Sequence, residues 1–88
     1  MVISQSLDTL LIQGESKDQQ KHGEWISYFP NGKIQSICNF NHGTPHGSII
    51  VYEKSGLVLY RGNFINGLKV GEWVFYDRKS GKKVIKDY

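Results

Sequence analysis

From residue 24 to residue 29 the chain reads Glu-Trp-Ile-Ser-Tyr-Phe, aromatic and β-branched residues at strand length. Period-two alternation assigns Trp25, Ser27 and Phe29 to one face and Ile26 and Tyr28 to the other. Too few residues separate this run from Gly32 to build a helix. Pro30-Asn31-Gly32 supplies a turn: the proline ring presets φ early in the turn, and Asn and Gly tolerate the positive φ that follows. Ile34 to Phe40 then returns as the partner strand. No segment keeps i, i+3, i+4 apolar spacing over a useful length, so the pattern predicts an all-β chain of antiparallel hairpins with little or no helix. Both faces carry apolar groups, as expected of a twisted meander that folds over on itself or presents one face to a partner.

The pattern recurs. Gly23, Gly47 and Gly71 stand 24 residues apart, and Gly23-Glu24-Trp25-Ile26-Ser27-Tyr28 aligns with Gly47-Ser48-Ile49-Ile50-Val51-Tyr52 and Gly71-Glu72-Trp73-Val74-Phe75-Tyr76. Asn31-Gly32, Ser55-Gly56 and, shifted by one inserted residue, Ser80-Gly81 follow as turns; Asn39-Phe40 and Asn63-Phe64 follow as return strands. A fixed period of this length marks a repeat architecture. We read a half repeat at 10–22, repeats at 23–46 and 47–70, and a truncated third at 71–88, all in a single domain over residues 1–88. Regular spacing makes the glycines turn residues, and Asn41 to Gly47 and Ile65 to Gly71 read as turn-rich connections between units.

Composition bounds this picture without changing it. With 88 residues, folding removes only about 60–65% of the unfolded chain's surface from water, so the core must be thin. The net charge of +3 comes mostly from Arg78, Lys79, Lys82, Lys83 and Lys86, a basic cluster around one turn. Cys38 is the single cysteine, which excludes an internal disulfide and points to a reducing compartment. The first fifteen residues carry no positive leader and no spanning apolar run, so a cytoplasmic protein is expected.

The unit His22 to Gly43, with its Trp, paired aromatics, Asn-Gly turn, Asn-aromatic pair and closing Gly, resembles the MORN-variant repeat of bacteria, over about residues 10 to 88. Proteins similar to it are commonly labelled antitoxins of the YwqK type, and small MORN-like proteins also serve as immunity partners of secreted toxins. The resemblance therefore implies a protein that binds a cognate toxin and occludes its active site. The chain departs from the family pattern where Ile49 replaces the Trp, and at Ile37, Cys38 and Arg61.

Candidate chemistry is sparse. His22, His42 and His46 invite a metal, but zinc needs three or four convergent donors, and the repeat positions make these histidines turn residues. The carboxylates form no pair with a reason for separated pKa values, no nucleophile elbow or phosphate loop is present, and Cys38 has no basic neighbour in sequence. No catalytic residue, metal or cofactor is assigned, and the chain is expected not to be an enzyme. Aromatics that recur with the unit belong to the core; Phe29, Ile37, Ile49, Tyr60 and Arg61 break the repeat and are the candidate contacts for a protein partner. The alternative is a MORN-type scaffold or anionic-lipid module working through the basic C-terminal hairpin. A nucleic-acid ligand is not favoured, because the core already claims the aromatics it would use. Open edges invite strand pairing or self-association, and Leu10 to Gln13 is the more inviting edge, so Leu11→Pro is expected to alter association.

Overall fold

A computed structural model describes residues 2–4 and 11–88. Within them the chain is all-β: β1 (Val2–Ser4), β2 (Leu11–Lys17), β3 (Gln20–Tyr28), β4 (Ile34–Asn41), β5 (Thr44–Tyr52), β6 (Val58–Ile65), β7 (Leu68–Tyr76) and β8 (Lys83–Asp87). They form one antiparallel sheet in sequence order. The Cα extents are 40 × 31 × 13 Å. Eight strands at about 4.8 Å spacing span about 34 Å, so this is a single open layer. The radius of gyration of 13.9 Å exceeds the roughly 12 Å of a compact chain of this length. The meander therefore does not fold over on itself. Among the described residues no helix is long and apolar enough to cross a membrane.

Two kinds of turn alternate. At one end of the sheet Asp18-Gln19, His42-Gly43 and Asn66-Gly67 each take positive φ at both positions, the backbone of a two-residue hairpin whose twist matches the strands it joins. At the other end Phe29, Glu53 and Asp77 close longer turns, donating their N–H to Lys33, Leu57 and Lys82. The expected loops 41–47 and 65–71 are thus corrected. Only residues 42–43 and 66–67 turn, and the chain re-enters the sheet at Thr44 and Leu68.

The evenly spaced glycines are corrected too. Gly23, Gly47 and Gly71 lie inside β3, β5 and β7 with φ of 76°, 103° and 67°, where the register shifts against β2, β4 and β6. They are bulge residues. A backbone that must bend in mid-strand at positive φ favours glycine, and the bend lets the sheet twist without losing its pairing.

Pairing sorts the side chains onto two faces. One carries the row Trp25–Cys38–Ile49–Gly62 and, beside it, Ile12–Ser27–Ser36–Val51–Tyr60–Phe75–Val84. Trp25, Cys38, Val51 and Trp73 are buried on this face. Each indole lies flat on a glycine of the preceding strand, Trp25 on Gly14 and Trp73 on Gly62, where a Cβ would fall inside the ring. Each indole N–H donates to a backbone carbonyl one residue further on, Trp25 to Glu15 at 2.8 Å and Trp73 to Asn63 at 3.1 Å. The ammonium groups of Lys21 and Lys69 cover the two rings at 5.0 and 5.2 Å. In the middle unit Cys38 stands where the others have Gly, and Ile49 where they have Trp. A larger residue below is matched by a smaller one above, which keeps the packed volume.

Candidate functional site

The face opposite the tryptophans is the candidate binding surface. Its central row runs across six strands as Ile26–Ile37–Ile50–Arg61–Val74–Ile85. Alternation along β3, β5 and β7 puts Tyr28, Tyr52 and Tyr76 on the same side, one position beyond the branched residues. Ile26, Ile37, Ile50, Tyr28, Tyr52 and Tyr76 are half-buried, with Val74 2% exposed and Arg61 open to solvent. Single-layer geometry explains the partial burial: among the described residues no second layer covers these side chains, so they shield one another and leave an apolar stripe with Arg61 set into it. Arg61 is oriented by the Tyr76 hydroxyl, which accepts from its Nε at 3.4 Å. That bond holds the guanidinium still more firmly protonated.

The five contact residues expected from sequence do not share one surface. Ile37 and Arg61 lie on the exposed stripe. Ile49 and Tyr60 lie on the tryptophan face, where Tyr60 packs against Trp73 and Phe75. Phe29 lies beyond β3, closing a turn through its N–H to Lys33 and its carbonyl from Gly32. Tyr28 and Tyr52 are not among the contacts expected from sequence because recurring aromatics read as core, and Ile26 and Ile50 carry no signal of their own there. The signal that would have found them is parity, since they alternate with the tryptophan-face residues along each strand.

The basic cluster is divided. Arg78 is tied to Glu53 at 3.1 Å, Lys83 pairs across from Tyr76 on the stripe face, and Lys86 pairs across from Trp73 on the other. The expected open edge at Leu10 to Gln13 is also corrected. Leu10 lies outside the described residues, and β1 pairs with β2 over Ile12, Gln13 and Gly14.

The histidines are placed by the repeat. His22 and His46 lie in strands β3 and β5, not in turns, and His42 lies in a hairpin turn. His46 Nδ1 accepts from the Asn66 N–H at 3.1 Å, and the His22 and His42 rings meet edge-on at 5.2 Å. Among the described residues no cluster of three or more His, Cys, Asp or Glu is arranged to hold a metal. A pocket of about 350 Å³ opens by the β7–β8 turn between Leu57, Leu59, Tyr76 and Arg78. Its carboxylate, Asp77, is engaged by Lys79 N–H at 2.8 Å and Ser80 Oγ at 3.1 Å, bonds that hold it below the usual carboxylate range. Burial pushes the Cys38 thiol up, against a smaller opposing effect of Lys21.

An uninterrupted meander of hairpins, repeating every 24 residues, defines a β-repeat scaffold. Residues 21–42 match the model of the family described as MORN repeat variant. No curated protein matches the chain, and no solved structure does.

Proposed function

We propose that the chain is a non-enzymatic protein-binding module that acts as an antitoxin or immunity protein, docking its stripe face on a toxin domain and occluding that domain's active site. The observation that carries this reading is the apolar row of Ile26, Ile37, Ile50, Val74 and Ile85 with Arg61 set into it. A rigid sheet presenting branched aliphatics, tyrosines and one arginine has the composition of a protein-binding core. The MORN-variant match at 21–42 supports a binding scaffold, and the kind of partner is proposed from the sequence's resemblance to YwqK-type antitoxins. The net charge of +3 favours a toxin with an acidic surface. The lipid alternative loses ground because Arg78 is paired with Glu53 and Lys83 and Lys86 project to opposite faces, so these three do not share one free surface.

The test is capture from host lysate with tagged protein, identification of the bound species by mass spectrometry, and co-expression of any captured protein that arrests growth. A stoichiometric protein whose toxicity is relieved by the wild-type chain and not by Arg61→Glu supports the reading. Retention of lipid or nucleic acid alone, or relief unaffected by stripe-face substitutions, overturns it.

A further inference from the structure

β8 is the last strand of the sheet among the described residues, and its hydrogen-bonding phase is fixed at both ends. Gly71 and Tyr88 exchange both backbone bonds, at 3.2 and 2.9 Å, and the Asp77 N–H donates to the Lys82 carbonyl at 2.8 Å. In an antiparallel ladder such bonded pairs alternate with non-bonded ones. Residues 82, 84, 86 and 88 therefore turn their backbone groups toward β7, while Lys83, Ile85 and Asp87 turn theirs outward. Among the described residues no strand pairs with that outer edge. The whole of β8 is exposed, Val84 and Ile85 by 58% and 49%.

We propose that this edge pairs with the β8 edge of a second copy of the chain, antiparallel and two-fold symmetric, with Ile85 opposite Ile85. The register follows from the residues. Centred on Ile85, the pairing sets Lys83 opposite Asp87 of the second copy, and Asp87 opposite its Lys83. Every outward backbone group of the three residues then finds a partner, and both joining pairs are opposite in charge. Equivalent faces continue across the junction, so the row Arg61–Val74–Ile85 runs on into its own mirror order in the second copy. Moving the centre to Lys86 sets lysine against lysine; moving it to Val84 sets Lys82 against Lys86 and leaves Asp87 outside. Asp87 has a further need of a cation. It pairs directly across from Glu72, and two carboxylates opposite one another on one face are unfavourable. Lys83 of the second copy would arrive beside them. The lysines of β8 thus do not bar the edge; they select one register of self-pairing.

Five residues make a small contact, so the dimer should be weak. The experiment is sedimentation velocity from micromolar to millimolar concentration on the 88-residue chain. Four variants accompany the wild type: Lys83→Glu, Asp87→Lys, the two combined, and Ile85→Pro. Each single charge reversal is expected to weaken association at least tenfold, and the double reversal to restore it. Ile85→Pro removes an N–H that the monomer does not use and is expected to abolish association, with the melting temperature of the dilute protein showing that the fold survives. A chain that stays monomeric throughout overturns the proposal. So does a dimer that ignores Ile85→Pro, or one that the combined reversal fails to rescue.

Discussion

At positions 14, 38 and 62 the chain places Gly, Cys and Gly, and eleven residues on, at 25, 49 and 73, it places Trp, Ile and Trp. The geometry couples the two choices, because the indole occupies the space a Cβ would need. Ile49→Trp alone is therefore expected to cost about 1–3 kcal/mol through overpacking against Cys38. Adding Cys38→Gly should recover most of it, a coupling that urea denaturation of the four proteins in the cycle would measure. Equal losses in the single and double variants would show the pair to be independent. Cys38 itself, buried and with its thiol pKa raised, should react with a thiol reagent far more slowly in the folded protein than after denaturation. Asp77 carries a pH prediction. Its folded pKa lies below the ordinary value, so the stability it adds is present above the unfolded pKa and is lost as pH falls through the folded one. Asp77→Asn should flatten the fall of melting temperature below about pH 4 and leave the neutral-pH slope unchanged.

At the scale of the element, the hairpin turns show how a repeat can carry a flaw. Gly43 and Gly67 take φ of 84° and 82°, and the equivalent residue in the first hairpin is Gln19 at 63°. A side chain in that region costs about 1 kcal/mol, so Gln19→Gly should raise stability by about that much in chemical denaturation. The strands and Pro30-Asn31-Gly32 were legible because their chemistry is local: aromatic and β-branched alternation, then a residue with fixed φ and two that accept positive φ. The bulges at Gly23, Gly47 and Gly71 were not. A glycine at positive φ looks the same in sequence whether the chain reverses or merely bends, and only the pairing partner decides which. Pro45 misled in the same way, reading as a loop residue although it lies within β5 and pairs with Phe40. The cover that β1 gives β2 was invisible because three residues, Val2 to Ser4, carry too short a pattern to announce a strand.

Over the whole molecule, each strand pairs only with its sequence neighbours, and the sheet divides labour between its two sides. Stability resides on the tryptophan face, where the fully buried indole of Trp73 is ringed by Tyr60, Phe64, Phe75 and Tyr88. The opposite stripe is more open: apart from the buried Val74, its side chains are half-buried or exposed and shield one another. This separation explains why the sequence residues that break the repeat fell on both sides: Ile49 departs from the unit to satisfy packing with Cys38, whereas Arg61 replaces an aliphatic in a row that otherwise runs unbroken from Ile26 to Ile85. It also makes the two sides experimentally separable. Trp73→Ala should cost about 3–5 kcal/mol in denaturation and lose binding only as the protein unfolds. Arg61→Ala removes an exposed side chain, so the unfolding midpoint should stay within about 0.5 kcal/mol of wild type while affinity for a captured partner falls at least tenfold. Calorimetric titration beside thermal melts would read both quantities. If Arg61→Ala left affinity intact while substitutions at exposed tryptophan-face positions such as Val84 reduced it, the docking surface would belong to the other side of the sheet.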